Sequence, residues 1–205
     1  MKNVAIAGAT GAVGREFLKL MEARDFPINN LKLLASERSV GKKLEFCGEQ
    51  IAVEELTPKS FQGVDLAFFS AGKGRSREFV RHAVDAGTVV IDNSSAFRMD
   101  PDVPLVVPEI NPHMAFKHNG IIANPNCSTI QMVVALKPLH DLFVINRIDV
   151  TTFQAVSGTG KLAQDELTNQ IKDQMSGAIP SSQIYSKQFA YNVLPRSQDF
   201  ESNGF

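Results

Sequence analysis

The stretch KNVAIAGATGAVGREFLKLMEAR, residues 2 to 24, limits this chain more than any other. A short run of Val, Ile and Ala reads as a fully buried strand, residues 2 to 8, and it ends on a glycine. Gly8, Gly11 and Gly14 then fall at the turn, and VGREFLKLMEAR, residues 13 to 24, follows as a helix with Val13, Phe17, Leu20 and Met21 on one face. Glycines at a strand-to-helix turn let the backbone bend sharply and let a pyrophosphate reach the helix N-terminus. Free N–H groups and the helix dipole favour an anion there. The spacing is G-x-x-G-x-x-G rather than G-x-G-x-x-G. A glycine-rich turn that binds nothing is the plain alternative, and the strand before it and helix behind it favour the nucleotide.

The same alternation continues. LKLLAS (31–36) and VDLAFFSAG (64–72) read as strands, SREFVRHAVDAG (76–87) as a helix closed by Gly87, and TVVIDNS (88–94) as the next strand. Strand and helix in turn predict right-handed βαβ units and a Rossmann-type, doubly wound parallel sheet. GIIANPN (120–126) is a further strand-to-turn step. STIQMVVALKPLHDLF (128–143) follows as a strongly apolar helix, kinked near Pro138, and RIDVTTFQAVSG (147–158) has strand character. The expected organisation is one dinucleotide-binding domain over residues 1–130. Residues 131–205 then begin a second, α+β catalytic and dimerisation domain, which is incomplete. The run QDFESNGF at the end carries no helix stop signal and reads as a chain cut short.

The formal net charge of -1 gives no nucleic-acid or anionic-membrane surface, and no apolar run approaches the roughly 20 residues of a membrane span. The chain's 2 cysteines make no disulfide framework and lack metal-ligand spacing, so a reducing cytoplasm is the simplest home and no metal is expected.

Beyond the second strand stands ASERSVGK. An NAD site offers an acidic residue about 20 positions on, for the ribose 2′-hydroxyl, whereas an NADP site offers Arg near the 2′-phosphate. Ser36, Arg38 and Ser39 together suit a phosphate, with Arg38 as the charged donor. Glu37 suits a ribose diol instead, and a solvated loop of mixed charge is the bland reading. The balance favours NADP.

NPNCST, residues 124–129, puts a thiol at the start of the apolar helix, where the N-terminus favours the thiolate. Asn126 and the amides beyond it suit a developing oxyanion, and Ser128 or Thr129 offers a helix cap instead. Free cysteines are also common buried filler, and Cys47, in KKLEFCGEQIAVEEL, looks like such a strand residue. Arg98, closing DNSSAFRMD, suits a bidentate carboxylate or phosphate, unless it merely pairs with Asp100 or Asp102. QAVSGTG (154–160) adds Gln154 and a second glycine loop. A nucleotide turn, a thiol at a helix start, an anion-binding Arg and that loop point to thiol-mediated redox chemistry at the acyl level.

GATGAVG (8–14), SAG (70–72), NSSAFR (93–98), VVPEIN (106–111), NPNCST (124–129) and QAVSGTG (154–160) stand in the order of the aspartate-β-semialdehyde dehydrogenase family, which the whole chain resembles. The resemblance implies NADPH-dependent reductive dephosphorylation of L-aspartyl-β-phosphate to L-aspartate-semialdehyde. That step feeds lysine, threonine, methionine and diaminopimelate synthesis, in a homodimer. It implies a cofactor loop at Thr10, Gly11, Ala12 and Val13, with Arg38 and Ser39 at the adenosine phosphate and Ser157 and Gly158 near the nicotinamide. It implies Arg98 for phosphate, Gln154 for substrate, and Cys127 as the acyl-thioester nucleophile.

Two departures stand out. Many members carry a second Cys three residues before the nucleophile, where this chain has Asn124, a position the chemistry does not need. The family's acid-base histidine, substrate-carboxylate arginine and second phosphate-binding lysine have no match here. His82, His113, His118 and His140 read as surface or structural residues, and the 205 residues alone are expected to be inactive. The alternatives are an N-acetyl-glutamyl-phosphate reductase, which shares the thioester chemistry, and a non-catalytic dinucleotide-binding protein.

Overall fold

The computed structural model describes residues 1–195, so the run QDFESNGF lies outside the described residues. The chain divides into two compact units, Met1–Asp149 and Val150–Phe205.

The first unit is a seven-stranded sheet with helices on both faces. β1 (Lys2–Ala7) lies at its middle and pairs in parallel with β2 (Ile28–Ala35) on one side and β5 (Leu66–Phe69) on the other. β6 (Val89–Asp92) and β7 (Ile121–Ala123) extend the parallel array beyond β5. β4 (Glu49–Glu55) extends it beyond β2, and β3 (Lys43–Phe46) closes that edge antiparallel, giving the order β3-β4-β2-β1-β5-β6-β7. Chain order reverses about β1, and a crevice for a ligand opens at such a switch point, beyond the carboxyl ends of the strands.

The faces follow from period-2 alternation along β1. Val4 and Ile6 join Leu33, Leu18 and Met21 in one buried cluster, while Ala5 and Ala7 join Phe69, Phe79 and Val80 in the other. Helix α1 (Ala12–Ala23) therefore covers one face and α2 (Lys73–Asp85) the other. The buried stripe of α1 is Gly14, Leu18 and Met21, with Phe17 tilted against Phe68 at 5.2 Å between ring centroids. Val13 and Leu20, expected on the core face, are exposed. The reason is Gly14: its missing side chain lets this flank of the helix, rather than the flank through Val13, approach the sheet.

Cys47 also departs from expectation. It is not a strand residue but the first of the two turn residues joining β3 to β4. Cys47 and Gly48 have φ of 50° and 81°, the left-handed pair that matches the twist of a two-residue hairpin. Helix α3 (Cys127–Phe143) runs through Pro138 without interruption. The strand expected over 147–158 does not form: residues 147–155 make no ladder among the described residues. β-Branched composition favours a strand only when a neighbouring strand supplies hydrogen bonds and cross-strand contacts.

The second unit holds a short 3₁₀ turn, Val156–Thr159, and helix α4 (Lys161–Ser176), which ends on Gly177 in the left-handed region. α4 gathers the following loop through polar side chains. Gln170 is 1% exposed and accepts from the backbone N–H groups of Phe189 and Ala190, while donating to Ser181 O. Glu166 accepts from the N–H groups of Gln183 and Ile184, each at 2.7 Å.

Candidate active site

The nucleotide turn is shaped by close backbone approach. Gly8 has φ 88°, and a Cβ there would collide with the Ser70 carbonyl group beyond β5. A Cβ on Gly14 would collide with the Gly8 carbonyl and stand 2.8 Å from Ala9 Cα. Only glycine lets β1, the loop after β5 and the start of α1 meet so closely. Gly11 is the N-cap of α1 and contributes no side-chain cap, and no acidic residue stands in the first turn. The first N–H groups of α1, at Ala12 and Val13, therefore face outward unneutralised, as a phosphate requires. Thr10, Gly11, Ala12 and Val13 form one continuous lip, and this geometry fits a dinucleotide.

The lip is joined to the loop after β2. Thr10 Oγ1 donates to Ser39 Oγ at 3.4 Å, although the two residues are 29 apart in sequence. Ser39 is buried on the short turn Glu37–Ser39, while Arg38 and Glu37 stand exposed beside it. Lys42 Nζ reaches the same Ser39 Oγ at 3.5 Å. Residue type alone does not single out Lys42, although the -S-V-G-K spacing in ASERSVGK is the signal that places it. Ser39 thus sits between a hydroxyl and two nearby cationic residues, Arg38 and Lys42.

The thiol corner lies at the ends of β6 and β7. Cys127 is the first residue of α3 and is exposed, with its Sγ 4.0 Å from Ser128 Oγ. Asn126, not Ser128 or Thr129, is the N-cap: its Oδ1 accepts from Ser128 N at 2.9 Å. Its side-chain NH2 remains as the group able to donate outward.

Arg98 makes no ion pair with Asp100 or Asp102; Asp100 instead accepts from the Asp102 backbone N–H at 3.1 Å. Arg98 Nε donates to Asn124 O at 2.9 Å and a terminal NH2 donates to Asn93 O at 3.0 Å. Two of five N–H donors are thereby used and three remain for a ligand. Partial burial pulls the guanidinium below its ordinary value, and the charges of Asp92 and Cys127 oppose that shift. It stays cationic. Behind it, buried Asp92 accepts from Ser76 Oγ at 2.8 Å and Ser94 Oγ at 2.7 Å.

Arg98 and Cys127 are thus brought together in the first unit, and Thr10 and Ser39 meet there at the nucleotide end. Gln154, Ser157 and Gly158 belong to the second unit, where all three are exposed. Gln154 Nε2 donates to Thr152 Oγ1 at 3.0 Å, and Ser157 O accepts from Gly160 N at 3.1 Å. His82, His113 and His140 are exposed, and His118 Nδ1 accepts from Gly120 N at 2.9 Å, a turn contact. Among the described residues no helix is long and apolar enough to cross a membrane.

The chain is similar to known proteins along its whole length. The family model described as semialdehyde dehydrogenase, NAD binding domain, matches residues 3–118, and the one described as semialdehyde dehydrogenase, dimerisation domain, matches residues 136–205. The aspartate-semialdehyde dehydrogenase of Aquifex aeolicus is 54% identical over 207 residues, covering 99% of this chain and 61% of the relative. The crystal structure of aspartate semialdehyde dehydrogenase II from Vibrio cholerae, complexed with ASA, superposes with a TM-score of 0.96 at 47% identity. That match covers 100% of this chain and 62% of the other. The Candida albicans aspartate semialdehyde dehydrogenase, crystallised with NADP, matches with a TM-score of 0.60 at 32% identity, over 71% of this chain and 48% of the other. The chain therefore spans about three fifths of the length of the Aquifex and Vibrio relatives. A nucleotide turn, a half-buried arginine and a thiol at a helix start thus stand on a sheet shared with these enzymes, and the chain belongs to the semialdehyde dehydrogenase family.

Proposed function

We propose that this chain carries the NADP-binding and thiol-bearing part of an aspartate-semialdehyde dehydrogenase, which converts L-aspartyl-4-phosphate to L-aspartate-4-semialdehyde and phosphate. The observation that carries the reading is the thiol corner: an exposed Cys127 at the first turn of α3, beside an Arg98 with three N–H donors to spare.

In this reading the Cys127 thiolate attacks the acyl carbon of the acyl phosphate. Its C–O bond breaks, and phosphate leaves with the bonding electrons toward Arg98. The Asn126 side-chain NH2 and the first N–H groups of α3 steady the negative charge that develops on the carbonyl oxygen. NADPH, when bound, supplies the hydride that turns the resulting thioester into aldehyde, freeing the thiolate. Thr10, Gly11, Ala12 and Val13 would hold its pyrophosphate. Arg38 and Ser39, with Lys42 near them, would hold the 2′-phosphate. The family resemblance assigns Ser157 and Gly158 to the nicotinamide end and Gln154 to the substrate.

In the same reading residues 1–130 bind the dinucleotide and residues 131–205 begin the catalytic and dimerisation domain, which the separate family-model matches to 3–118 and 136–205 support. The match of 136–205 to a dimerisation domain supports a homodimer, and the product supports a place in lysine, threonine, methionine and diaminopimelate synthesis. Two free, exposed cysteines suit a reducing cytoplasm.

Residues 1–205 span about three fifths of the relatives' length, and the family resemblance assigns its acid-base role to none of the four histidines. The chain alone is therefore expected to be acylated without steady NADPH oxidation. Incubation with L-aspartyl-4-phosphate followed by intact-mass analysis and peptide mapping tests this. One aspartyl adduct on Cys127, absent from Cys127→Ala, is expected. Equal labelling of Cys47, or a preference for N-acetyl-glutamyl phosphate, would overturn the assignment.

A further inference from the structure

Residues 93 and 124 lie just past the last paired positions of β6 and β7, where Asp92 stands opposite Ala123. The final backbone rung is Asn124 N to Asp92 O, at 2.8 Å. No further backbone rung follows: only alternate residues of β7 face β6, and Ser94 N, the next donor from the β6 side, turns to Asp92 Oδ1 at 3.1 Å. A side chain takes its place: Asn124 Nδ2 donates to Asn93 Oδ1 at 2.6 Å, tying the two chain segments one step beyond the ladder.

The two residues so tied are the two whose carbonyl groups hold Arg98, through Nε to Asn124 O and NH2 to Asn93 O. An arginine side chain has about 2 kcal/mol of rotamer entropy to lose on ordering, so a fixed pair of acceptors decides whether its free donors point one way. Loosening the amide tie lets the strand ends splay and the two acceptors part. The other polar side chains of this corner are already engaged, since Asp92 holds Ser76 and Ser94, and Asn126 caps α3.

We propose that Asn124 is a positioning residue for the reaction: paired with Asn93, it holds the two carbonyl groups that aim the Arg98 guanidinium at the anion beside Cys127. This rests on Arg98 taking an anion next to a reactive Cys127. It gives a role to a position at which the family resemblance required none.

Paired alkylating reagents test it on the 205-residue chain. Iodoacetate carries a carboxylate that Arg98 can hold, whereas iodoacetamide is neutral and of similar size. The quantity read is the iodoacetate-to-iodoacetamide rate ratio at Cys127, with Cys47 as the internal reference. Asn124→Ala should lower that ratio by about threefold to tenfold, toward the value of Arg98→Ala, while leaving the ratio at Cys47 unchanged. Asn93→Ala removes the same tie from its other end and should do the same. The double variant Asn124→Ala/Arg98→Ala should fall no further than Arg98→Ala alone, since both changes remove one function. A general loss of structure would move both cysteines and both reagents together, and it would overturn the proposal by making Asn124 merely structural. An Asn124→Ala ratio equal to the parent's, with Arg98→Ala still lowered, overturns the positioning role and leaves the anion site standing. An Arg98→Ala ratio equal to the parent's overturns the anion site and the positioning role together.

Discussion

Helices α2 and α3 invert the usual relation between composition and burial. α2, KGRSREFVRHAVD, is dense in charge, yet it buries Ser76, Phe79, Val80 and Ala83 against the sheet. α3, CSTIQMVVALKPLHDLF, carries only Lys137 and Asp141 as charged residues, yet none of its side chains is buried. Leu142 is 76% exposed and Phe143 is 75% exposed. A helix on a sheet needs only a narrow apolar stripe, and α2 has that and no more. An apolar surface left open marks a place made to be covered. α3 leaves an apolar surface open in these 205 residues, and the match to a dimerisation domain begins within it, at residue 136.

The largest expected effect breaks or upholds this contrast directly. Phe69 is fully buried and stacks on Phe61 with ring centroids 5.6 Å apart. Phe69→Ala should cost about 3–5 kcal/mol in chemical denaturation, since the sheet closes poorly over a lost ring. Leu142→Ala removes a large apolar side chain too, and it should stay within about 0.5 kcal/mol of the parent. Similar losses at both positions would mean that α3 is packed after all.

A smaller effect belongs to an exposed residue on the packed side of the comparison. Arg38 makes no side-chain hydrogen bond among the described residues, so its removal should leave the melting transition alone. Arg38→Ala should instead weaken NADPH binding by about 1.5–3 kcal/mol, with NADH nearly unaffected, measured by fluorescence titration. An unchanged preference would put the 2′-phosphate on Lys42 or elsewhere.

The two thiols carry the comparison to single atoms. Cys47, at the hairpin tip of the packed region, is held above its ordinary value, by lost hydration first and then by Glu22, Asp25 and Glu49. A raised thiol pKa means less thiolate at neutral pH. Cys127, heading the uncovered helix, should therefore be alkylated by neutral iodoacetamide faster than Cys47 at pH 7. The gap should narrow as rising pH ionises Cys47. Equal rates at neutral pH would remove the kinetic distinction between the two.

These regions also differ in what the residues alone disclose. β1, the glycine turn and α1 are legible because strand pattern, turn chemistry and helix pattern coincide over residues 2–24. The buried flank of α1 is not, because a residue without a side chain, Gly14, marks the contact. The hairpin β3–β4 stays hidden because its strands, KLEF and EQIAVEE, mix polar and apolar residues, and its turn is Cys-Gly rather than Asn-Gly. Helix α4 is equally hard to see, because polar clasps, not an apolar stripe, hold it. At the site, Cys127 and Arg98 are legible by residue type and surrounding motif. The acceptors that orient Arg98 are not, because they are backbone carbonyl groups, which every residue type carries. The approach of Thr10 to Ser39 is concealed too, since only the pairing of β1 with β2 brings those loops side by side.

The smallest expected effect lies in the second unit, which is organised by polar contacts where the first relies on apolar ones. Two glutamine and glutamate side chains on α4 hold successive parts of one loop, and only one of them titrates. For Glu166, lost hydration raises the carboxyl, but N–H donors from Ile184, Gln183 and Tyr185 outweigh it, and the folded value lies below the ordinary one. A depressed carboxyl contributes stability that is fully present above the unfolded value, about 4.3, and is lost as pH falls through the folded value. Acidification below the ordinary glutamate range should therefore release the amides of Gln183 and Ile184. Their hydrogen-exchange protection factors, corrected for intrinsic rates, should fall together. Phe189 and Ala190, held by the uncharged Gln170, should keep theirs over the same range. Glu166→Gln retains an acceptor without a titrating proton, so in that variant the difference between the two pairs of amides should no longer depend on pH. Protection at all four positions that falls in step would show that acid opens the whole unit, and that Glu166 has no separate hold on its loop.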